Sequence, residues 1–428
     1  MPPTPPSILE LSRPNAAQAE AIAYDGDAVV TAGAGTGKTR TLVARYLALL
    51  ERGVPLRRMV AITFTRKAAR EMRNRVRQQI RGWLQGGADP ARAAFWQQCY
   101  ADLDAAYIGT IHGLCAAILR AHPAEAGVDP GFGELDEGLG GLLKARAVEN
   151  ALRWAADDAR MFDLFRALSV EGLSRALSRL LGQRLDVAAA WDAADDPLPL
   201  WEAAVRERVA RFWEDAEVRG ALADLDELRQ RGDIAGAEAQ GDKLAPSLSR
   251  LLALRDRVED APSPPDCGAI LDALAEMRAE MKGTVGSAKN YPAGLDPKAA
   301  LTGLRARYDA LVAPWSAKSA WALDLRAAAL LPALRELFRQ AEREHARLKE
   351  QRGALDYDDL EGMALALLEG HPAVAAAWQG RVDALLVDEF QDTNRRQRAL
   401  VDLLARGAAP ALWWATPSSP STAFAAPT

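Results

Sequence analysis

The sequence is poor in cysteine, histidine and aromatic residues, and it has no excess of basic charge. Its 428 residues include only three cysteines, Cys99, Cys115 and Cys267, which are odd in number and far apart. This pattern argues against a disulfide framework or a cysteine-rich metal site, and it favours a reducing compartment. The formal net charge is −5, so no global basic field indicates a nucleic-acid partner, although a local binding groove stays compatible with it.

The chain also lacks long apolar runs and a recognisable targeting segment. Its first residues, MPPTPPSILELSRPNAAQ, have no basic stretch followed by an apolar one, so we predict no signal peptide. The longest apolar runs are interrupted by Arg or Asp well short of a membrane span. Apolar residues make up 49% and charged residues 26% of the chain, which is typical of soluble globular proteins. We therefore expect a cytoplasmic protein with no membrane partner.

Two kinds of pattern alternate along the chain. Residues 24–120 alternate β-rich runs (DAVVTA, RRMVAITFT, AAYIGT) with amphipathic stretches, as parallel α/β sheets do. Residues 121–350 carry no strand signal and indicate helices broken by Pro- and Gly-rich segments. The α/β pattern returns at RVDALLVDEFQD. We predict an α/β fold in which a parallel sheet domain, residues 1–120 and 351–410, is interrupted by a large all-helical insertion.

A glycine-rich stretch lies between the first predicted strand and helix, where a phosphate-binding loop (P-loop) is expected. Its glycines let backbone N–H groups point at phosphate oxygens, and the helix N-terminus adds partial positive charge. Lys38 would reach the β- and γ-phosphates, and the Thr39 hydroxyl would bind Mg²⁺. The alternative is a glycine-rich turn followed by a chance Lys-Thr pair. The nucleotide-binding candidates are Ala32, Gly33, Ala34, Gly35, Thr36, Gly37, Lys38 and Thr39.

Two adjacent carboxylates follow the last predicted strand, in LLVDEFQD. Asp388 would lie at the carboxyl end of that strand, where open α/β sheets bind ligands, and would hold Mg²⁺. Glu389 is the candidate to orient and deprotonate an attacking water. The alternative is that these acids only cap the following helix.

Four motifs, in order, resemble motifs I, Ia, Ib and II of the UvrD/Rep-like superfamily 1 DNA helicases. They read AGAGTGKTRTL, AITFTRKAAREM, GTIHGLC and VDEFQDTNRRQ. The segments ILRAHPAEAGVDPGF and LDYDDL are similar to the RecB/AddA-type branch, which is associated with exonucleases. The resemblance is strong over residues 14–135 and 353–405. It implies a RecA-like lobe (1A) with a 1B-like helical insertion.

The resemblance implies ATP-driven 3′→5′ translocation on single-stranded or end-containing DNA, with ATP and Mg²⁺ as cofactors, and it allows a nuclease subunit as a partner. It places Gln18 at the adenine and Arg40 near the nucleotide, and it makes Gln391 a sensor of the γ-phosphate. The implied DNA contacts are Thr63, Phe64, Thr65, Thr110 and His112.

Two positions depart from the family pattern at the implied DNA contacts. Arg66 stands where the family usually has Asn, and Gly113 where it often has Ser. The basic run that follows could face DNA, although most helical charge runs are solvated faces. Its members are Lys67, Arg70, Arg73, Arg75 and Arg77.

The last residues read WWATPSSPSTAFAAPT and have neither charge nor a helical or strand period. Residues Leu412 to Thr428 can be encoded by a choice of synonymous codons that, when read in a shifted frame, give a sequence resembling motif III of the family. We therefore expect residues 411–428 to be an out-of-frame tail. The resemblance implies that a second lobe supplies an arginine that stabilises charge in the transition state of ATP hydrolysis. A chain truncated after motif II would lack this arginine, and we expect it to have negligible unwinding activity.

Two other classes of function stay open. A phosphate-loop ATPase of another class would need a signature segment or long coiled coils, neither of which the sequence contains. A non-catalytic remnant that binds DNA or a partner would differ from the enzyme in showing DNA binding without ATP turnover.

Overall fold

The structure is a computed structural model, and it describes residues 7–9, 13–24, 26–31, 37–86, 90–259, 266–282, 286–316, 321–406 and 411–415. The chain divides into two compact units. The first, which we call the sheet unit, consists of residues 1–146 and 345–428, and the second, the helical unit, consists of residues 147–344. No helix in the described ranges is both long and apolar enough to cross a membrane.

Parallel strands form the framework of the sheet unit. Their bounds are β1 Ala28–Thr31, β2 Met59–Thr63, β3 Tyr107–Thr110, β4 Gly133–Glu134, β5 Ala354–Leu355, β6 Ala384–Val387 and β7 Ala411–Ala415. The main sheet has the order β1-β7-β6-β2-β3, and β4 pairs with β5 in a small separate sheet. All these pairings are parallel. The carboxyl ends of the five main strands therefore lie at one edge of the sheet.

Helices surround this sheet and build the helical unit. The bounds up to the helical unit are α1 Ala16–Ala23, α2 Lys38–Glu51, α3 Arg66–Gln85, α4 Pro90–Asp102, α5 Ile111–Ala121, α6 Pro123–Ala126 and α7 Glu137–Ala156. They continue with α8 Phe162–Ala167, α9 Val170–Leu181, α10 Arg184–Ala193, α11 Leu198–Glu214, α12 Ala216–Gln230, α13 Asp233–Ala239, α14 Ala245–Glu259, α15 Cys267–Glu280, α16 Pro297–Leu311 and α17 Ala313–Ser316. The last are α18 Trp321–Glu350, α19 Tyr357–Gly370, α20 Pro372–Gln379 and α21 Arg395–Ala405.

The two faces of the main sheet carry separate apolar cores. Along β2, Met59 and Ala61 face one core, and Val60 and Ile62 face the other, as the period of two in a strand requires. The first core includes residues of α2, α3 and α4, and the second includes residues of α5, α19, α20 and α21. Every residue of β2 and β6 is buried, which explains why these strands are continuous apolar runs.

The helical unit has its own apolar core, built by residues of α11 to α16 with Trp321 of α18. It contains no strand in its described residues. The chain is thus an α/β protein, mostly helical, with a small parallel sheet. The predicted boundaries of the insertion, residues 121 and 350, lie outside the bounds of this unit and stay a prediction.

Two expectations about strands are wrong. The sequence predicts no strand in residues 121–350, but β4 pairs with β5, and its two residues are too few to show a period in sequence. The tail pattern predicts no strand from Trp413 onward, but Trp413 to Ala415 belong to β7. β7 lies between β1 and β6, so both edges of this short apolar run find backbone partners. The expectation of an out-of-frame tail stays a prediction.

Candidate active site

Lys38 and Glu389 lie together at the carboxyl edge of the sheet. Lys38 is the first residue of α2, and Glu389 follows β6 by two residues. The Lys38 Nζ and the Glu389 Oε1 are 3.5 Å apart, with side-chain exposures of 14% and 36%. The structure therefore brings the end of the predicted phosphate-binding loop next to the predicted acid pair.

The backbone at Glu389 has a conformation that side chains rarely adopt. Its φ is 53° and its ψ is 44°, in the left-handed region. For a residue other than Gly, Asn or Asp this conformation costs on the order of 1 kcal/mol or more, and such strain is concentrated at functional sites. It accompanies a sharp turn directly after β6, in which the Glu389 N–H donates to the Asp388 carboxylate at 3.1 Å.

The negative charge of the Asp388 carboxylate is only partly stabilised by neighbouring groups. Its backbone N–H donates to the Ile62 carbonyl at 2.9 Å, which extends the pairing of β6 with β2 by one residue. Burial, and then the negative charge of Glu389, raise the pKa of Asp388 above its usual value, and the hydrogen bond from the Glu389 N–H and the charge of Lys38 offset this only in part. A cation bound here would lower the free-energy cost of keeping Asp388 ionised.

The acid pair does not cap α21, the α-helix that follows it. The helix α21 begins at Arg395, and its N-cap is Asn394. Asn394 and Gln397 form a capping box, in which each side chain accepts a hydrogen bond from the backbone N–H of the other. Asp388 and Glu389 are separated from this helix by the 3-10 turn Phe390–Asp392, and Glu389, the N-cap residue of that turn, makes no side-chain capping hydrogen bond to it.

Three residues implied at the nucleotide lie together beside the start of α2. The Arg40 Nη2 donates to the Gln18 Oε1 at 3.3 Å. Gly37 has a φ of 85°, and a Cβ there would lie 3.3 Å from the Gln18 Nε2. Both constraints favour glycine at this position. Ala32, Gly33, Ala34, Gly35 and Thr36 lie outside the described residues, as does the side chain of Gln391.

The segment after β2 exposes one aromatic ring. Thr63 is 2% exposed, and its hydroxyl donates to the Thr65 carbonyl at 3.1 Å, so it faces the protein interior in this structure. Phe64 is 59% exposed. Thr65 caps α3 by accepting from the Ala68 N–H at 3.0 Å, which leaves its own O–H free to donate elsewhere.

The segment after β3 is arranged in the same way. Thr110 caps α5 by accepting from the Gly113 N–H at 3.2 Å. His112 stacks on Tyr357, with ring centroids 4.2 Å apart and an interplanar angle of 16°. Its Nε2 lies 2.8 Å from the Glu361 Oε1. Two of the three predicted threonine contacts, Thr65 and Thr110, thus mark two equivalent helix N-termini at one edge of the sheet.

Sequence reasoning missed Glu361, which is 3% exposed. The signal was present, because α19 buries Leu360, Ala364, Leu367 and Leu368 in an apolar stripe with helical spacing, and Glu361 belongs to that stripe. A carboxylate in such a stripe is rarely buried unless it has partners, and those partners cannot be identified from the sequence.

The basic run of α3 is not one uniform surface. The Arg73 Nη2 donates to the Ile108 carbonyl at 2.8 Å, and the Arg77 Nη2 donates to Asp104 at 2.6 Å. Arg66, at the position that departs from the family pattern, pairs with Glu134 at 2.7 Å. The remaining members are exposed, namely Lys67, Arg70 and Arg75.

The chain belongs to the UvrD/REP helicase family. A family model described as "UvrD/REP helicase N-terminal domain" matches residues 14–412. This match confirms the resemblance to UvrD/Rep-like helicases that the four ordered motifs indicate.

Relatives that are named as a subunit of an ATP-dependent helicase/nuclease confirm the resemblance to the RecB/AddA-type branch. The protein of Pelotomaculum thermopropionicum is 27% identical over 91% of this chain and 33% of its own length. That of Levilactobacillus brevis is 28% identical over 89% of this chain and 32% of its own length. That of Staphylococcus aureus is 26% identical, with the same coverage of both chains. The chain spans about one third of the length of these relatives.

Proposed function

We propose that the chain binds Mg·ATP at the carboxyl edge of its sheet and belongs to an ATP-dependent DNA helicase that moves 3′→5′ in recombination and repair. The observation that carries this proposal is the approach of Lys38 to Glu389, at 3.5 Å, beside the strained turn after β6. A lysine at a helix N-terminus and two carboxylates at the carboxyl end of a strand in the same sheet are the groups that phosphoryl transfer requires.

The nucleotide would be held by the residues around the start of α2. We assign the phosphates to the loop of residues 32–37 and to Lys38, and the adenine to Gln18, with Arg40 beside it. Gln18 already contacts Arg40 in the structure, so both side chains can reach one ligand. Gln391 follows the acid pair and would respond to the terminal phosphate.

The donors around the acid pair suit Mg²⁺, which prefers hard oxygen ligands. Asp388 and the Thr39 hydroxyl would hold the ion, and a bound cation would offset the burial and the Glu389 charge that raise the pKa of Asp388. In the described part of the chain, no cluster of three or more His, Cys, Asp and Glu side chains could hold a metal ion. This fits an ion held by few protein ligands together with phosphate and water. When bound, Mg²⁺ neutralises charge on the phosphates, and Glu389 orients and deprotonates the attacking water.

DNA would lie along the helix N-termini at Thr65 and Thr110. Hydroxyl groups and helix N-termini bind backbone phosphates without reading sequence. The exposed ring of Phe64 would stack on a base of any identity. We assign Thr63 to this path through its backbone, because its side chain is buried. His112 would lie beside this DNA path.

The name that the relatives carry supports a helicase that works with a nuclease partner. Because the chain spans about one third of their length, the activity and the partner of the whole relatives are a proposal for this chain. The prediction of negligible unwinding by these 428 residues is checked by a strand-displacement assay.

ATPase measurements with and without single-stranded DNA test the proposal. We expect weak binding of a fluorescent ATP analogue that requires Mg²⁺, and turnover stimulated by DNA would favour the enzyme. DNA binding without turnover would favour the alternative, a non-catalytic module that binds DNA or a partner. Absence of nucleotide binding by the unaltered chain would refute the proposal.

A further inference from the structure

We propose that Glu361 is a positioning residue that links the segment after the acid pair to the segment of His112, so that nucleotide binding changes the affinity for single-stranded DNA. This inference rests on the proposed function, since it needs one ligand at each segment. Glu361 itself touches neither ligand. It acts through the side chains that it holds.

The Glu361 carboxylate collects hydrogen bonds from both segments. Its Oε1 accepts from the Gln397 Nε2 at 2.6 Å and lies 2.8 Å from the His112 Nε2. Its Oε2 accepts from the Asn394 Nδ2 at 2.8 Å. The Arg396 Nε lies 3.8 Å from the same oxygen. Each carboxylate oxygen is thus engaged, and the side chain is only 4% exposed.

The bonds from Asn394 and Gln397 come from the two members of the capping box of α21. The amide oxygens of these residues accept the two backbone N–H groups within the box, and their NH₂ groups both donate to Glu361. One carboxylate therefore fixes the start of α21. The acid pair lies only a few residues before that start, across the turn Phe390–Asp392. A shift of the acid pair on ligand binding would be transmitted to this box.

The third bond fixes His112 in the first turn of α5. Tyr357 stacks on a face of the imidazole ring and Glu361 contacts its Nε2, so His112 is held by an aromatic ring and by a carboxylate. Both holding groups belong to α19, one helical turn apart. Any movement of Glu361 toward α21 must lengthen its bond to His112 or carry the imidazole with it.

Burial makes this arrangement intolerant of change. Burial alone would raise the pKa of Glu361, but the bonds from His112, Asn394 and Gln397 outweigh it and hold the pKa below the usual value. The carboxylate is therefore ionised and accepts from every partner. In Glu361→Gln, an NH₂ group would face at least one of these donors, so one of the two segments would be released.

The test measures the dissociation constant of a fluorescent single-stranded oligonucleotide with and without Mg²⁺ and a non-hydrolysable ATP analogue. In the unaltered chain we expect the two constants to differ about fivefold or more, as in typical coupling between sites. In Glu361→Gln we expect the ratio of these two dissociation constants to be near one, with each ligand still bound when it is present alone. Glu369→Gln changes an exposed carboxylate on the same helix and should keep the original ratio.

Tyr357→Leu provides a milder variant in case Glu361→Gln fails to fold, as judged by circular dichroism. It removes the stacking on His112 but keeps an apolar side chain where Tyr357 packs against the core, and it should lower the ratio of the two dissociation constants. A folded Glu361→Gln that keeps the ratio, even with both affinities weakened, would show a merely structural role and overturn the inference. So would an unchanged ratio in Tyr357→Leu when Glu361→Gln is unfolded.

The unaltered chain separates the two proposals. If it binds both ligands with a ratio of one, the inference is overturned and the proposed function stands. If it binds neither ligand, both are overturned.

Discussion

Glu361 and Asp388 both lie in the sheet unit, yet their pKa values are displaced in opposite directions. The Glu361 carboxylate accepts hydrogen bonds from three side chains, and these outweigh the cost of burial. Asp388 has a carboxylate neighbour and only partial compensation from the Glu389 N–H and from Lys38, so burial dominates. The side-chain hydrogen bonds that Glu361 accepts come from within the unit, whereas Asp388 stands where a positively charged ligand would improve stability.

This difference distinguishes a carboxylate that stabilises the fold from one that is suited to bind a ligand, within the same unit. A fully bonded buried carboxylate specifies how helices meet, and removing it leaves donors without an acceptor. An under-compensated carboxylate beside a strained backbone lowers stability, which is typical of sites that bind a ligand. Substitutions at and around the two carboxylates test whether they differ in this way.

The largest effect is expected for Glu361→Ala. The change leaves the NH₂ groups of Asn394 and Gln397 and the His112 N–H without their acceptor. We expect the free energy of unfolding to fall by about 3 kcal/mol, since each unsatisfied buried donor costs about 1–3 kcal/mol. Urea denaturation measures it, with Glu369→Ala as the exposed control on α19. A loss equal to that of the control would show that Glu361 is not the hydrogen-bonded hub that the structure describes.

The next effect concerns ligand binding at the acid pair. In Lys38→Ala the charge-assisted contact with the phosphates is lost, so we expect nucleotide affinity to fall by about 10- to 100-fold, from about 1.5–3 kcal/mol per contact. Stability should change little, because the pair with Glu389 is partly exposed and loose. Titration with a fluorescent ATP analogue measures the affinity, and Lys289→Ala, at an exposed lysine, is the control. Equal affinities in the two variants would contradict the site.

A smaller effect is expected from Glu389→Gly. Glycine adopts the left-handed conformation at position 389 without steric cost, so we expect the protein to become more stable by about 1 kcal/mol, net of the flexibility that glycine adds to the unfolded chain. ATP turnover should be lost with the carboxylate. Thermal unfolding and an ATPase assay measure both. A destabilised variant would mean that the Glu389 side chain contributes more to the fold than its backbone costs.

The smallest effect is a pair of opposite pH dependences. Because the folded pKa of Asp388 is raised, this residue favours the folded state at acid pH and loses that contribution as the pH rises through its folded pKa. Asp388→Asn should therefore gain stability relative to the unaltered chain at neutral pH, and the gain should shrink in acid. Asp224→Asn, at an exposed aspartate, should show no such trend.

Glu361 should show the reverse slope. Its lowered folded pKa stabilises the protein above the unfolded pKa, about 4.3 for glutamate, and this contribution is lost as the pH falls through the folded pKa. The deficit of Glu361→Gln should therefore be largest at neutral pH. Unfolding measured from about pH 7 down to about pH 2.5 covers both slopes, since the Glu361 contribution is lost only below the unfolded pKa of glutamate, and slopes of the same sign would contradict the comparison.

Local patterns predicted much of the sheet unit. The strands near Val29, Ala61, Ile108 and Leu386 were each placed by a short apolar run, and the helices that follow them by amphipathic spacing. These features depend on residues close in sequence. The predicted site residues that the structure brings together are Lys38 with Glu389, and Gln18 with Arg40.

What the sequence could not reveal depends on contacts between distant residues. Glu361 lies 249 residues from His112 in sequence, and no local pattern indicates that they meet. The burial of Thr63 and the splitting of the basic run of α3 are also set by strand β3, through Gly109 and Ile108. β7 was missed because five residues are too few to show the period of a strand. Its position between β1 and β6 gives it backbone hydrogen-bond partners on both sides.

A crystal structure of the chain with Mg²⁺ and a non-hydrolysable ATP analogue tests the central claim most directly. We expect the terminal phosphate to lie between Lys38 and Glu389, with the metal ion bound by Asp388. A nucleotide bound elsewhere, with the contact between Lys38 and Glu389 unchanged, would contradict the account.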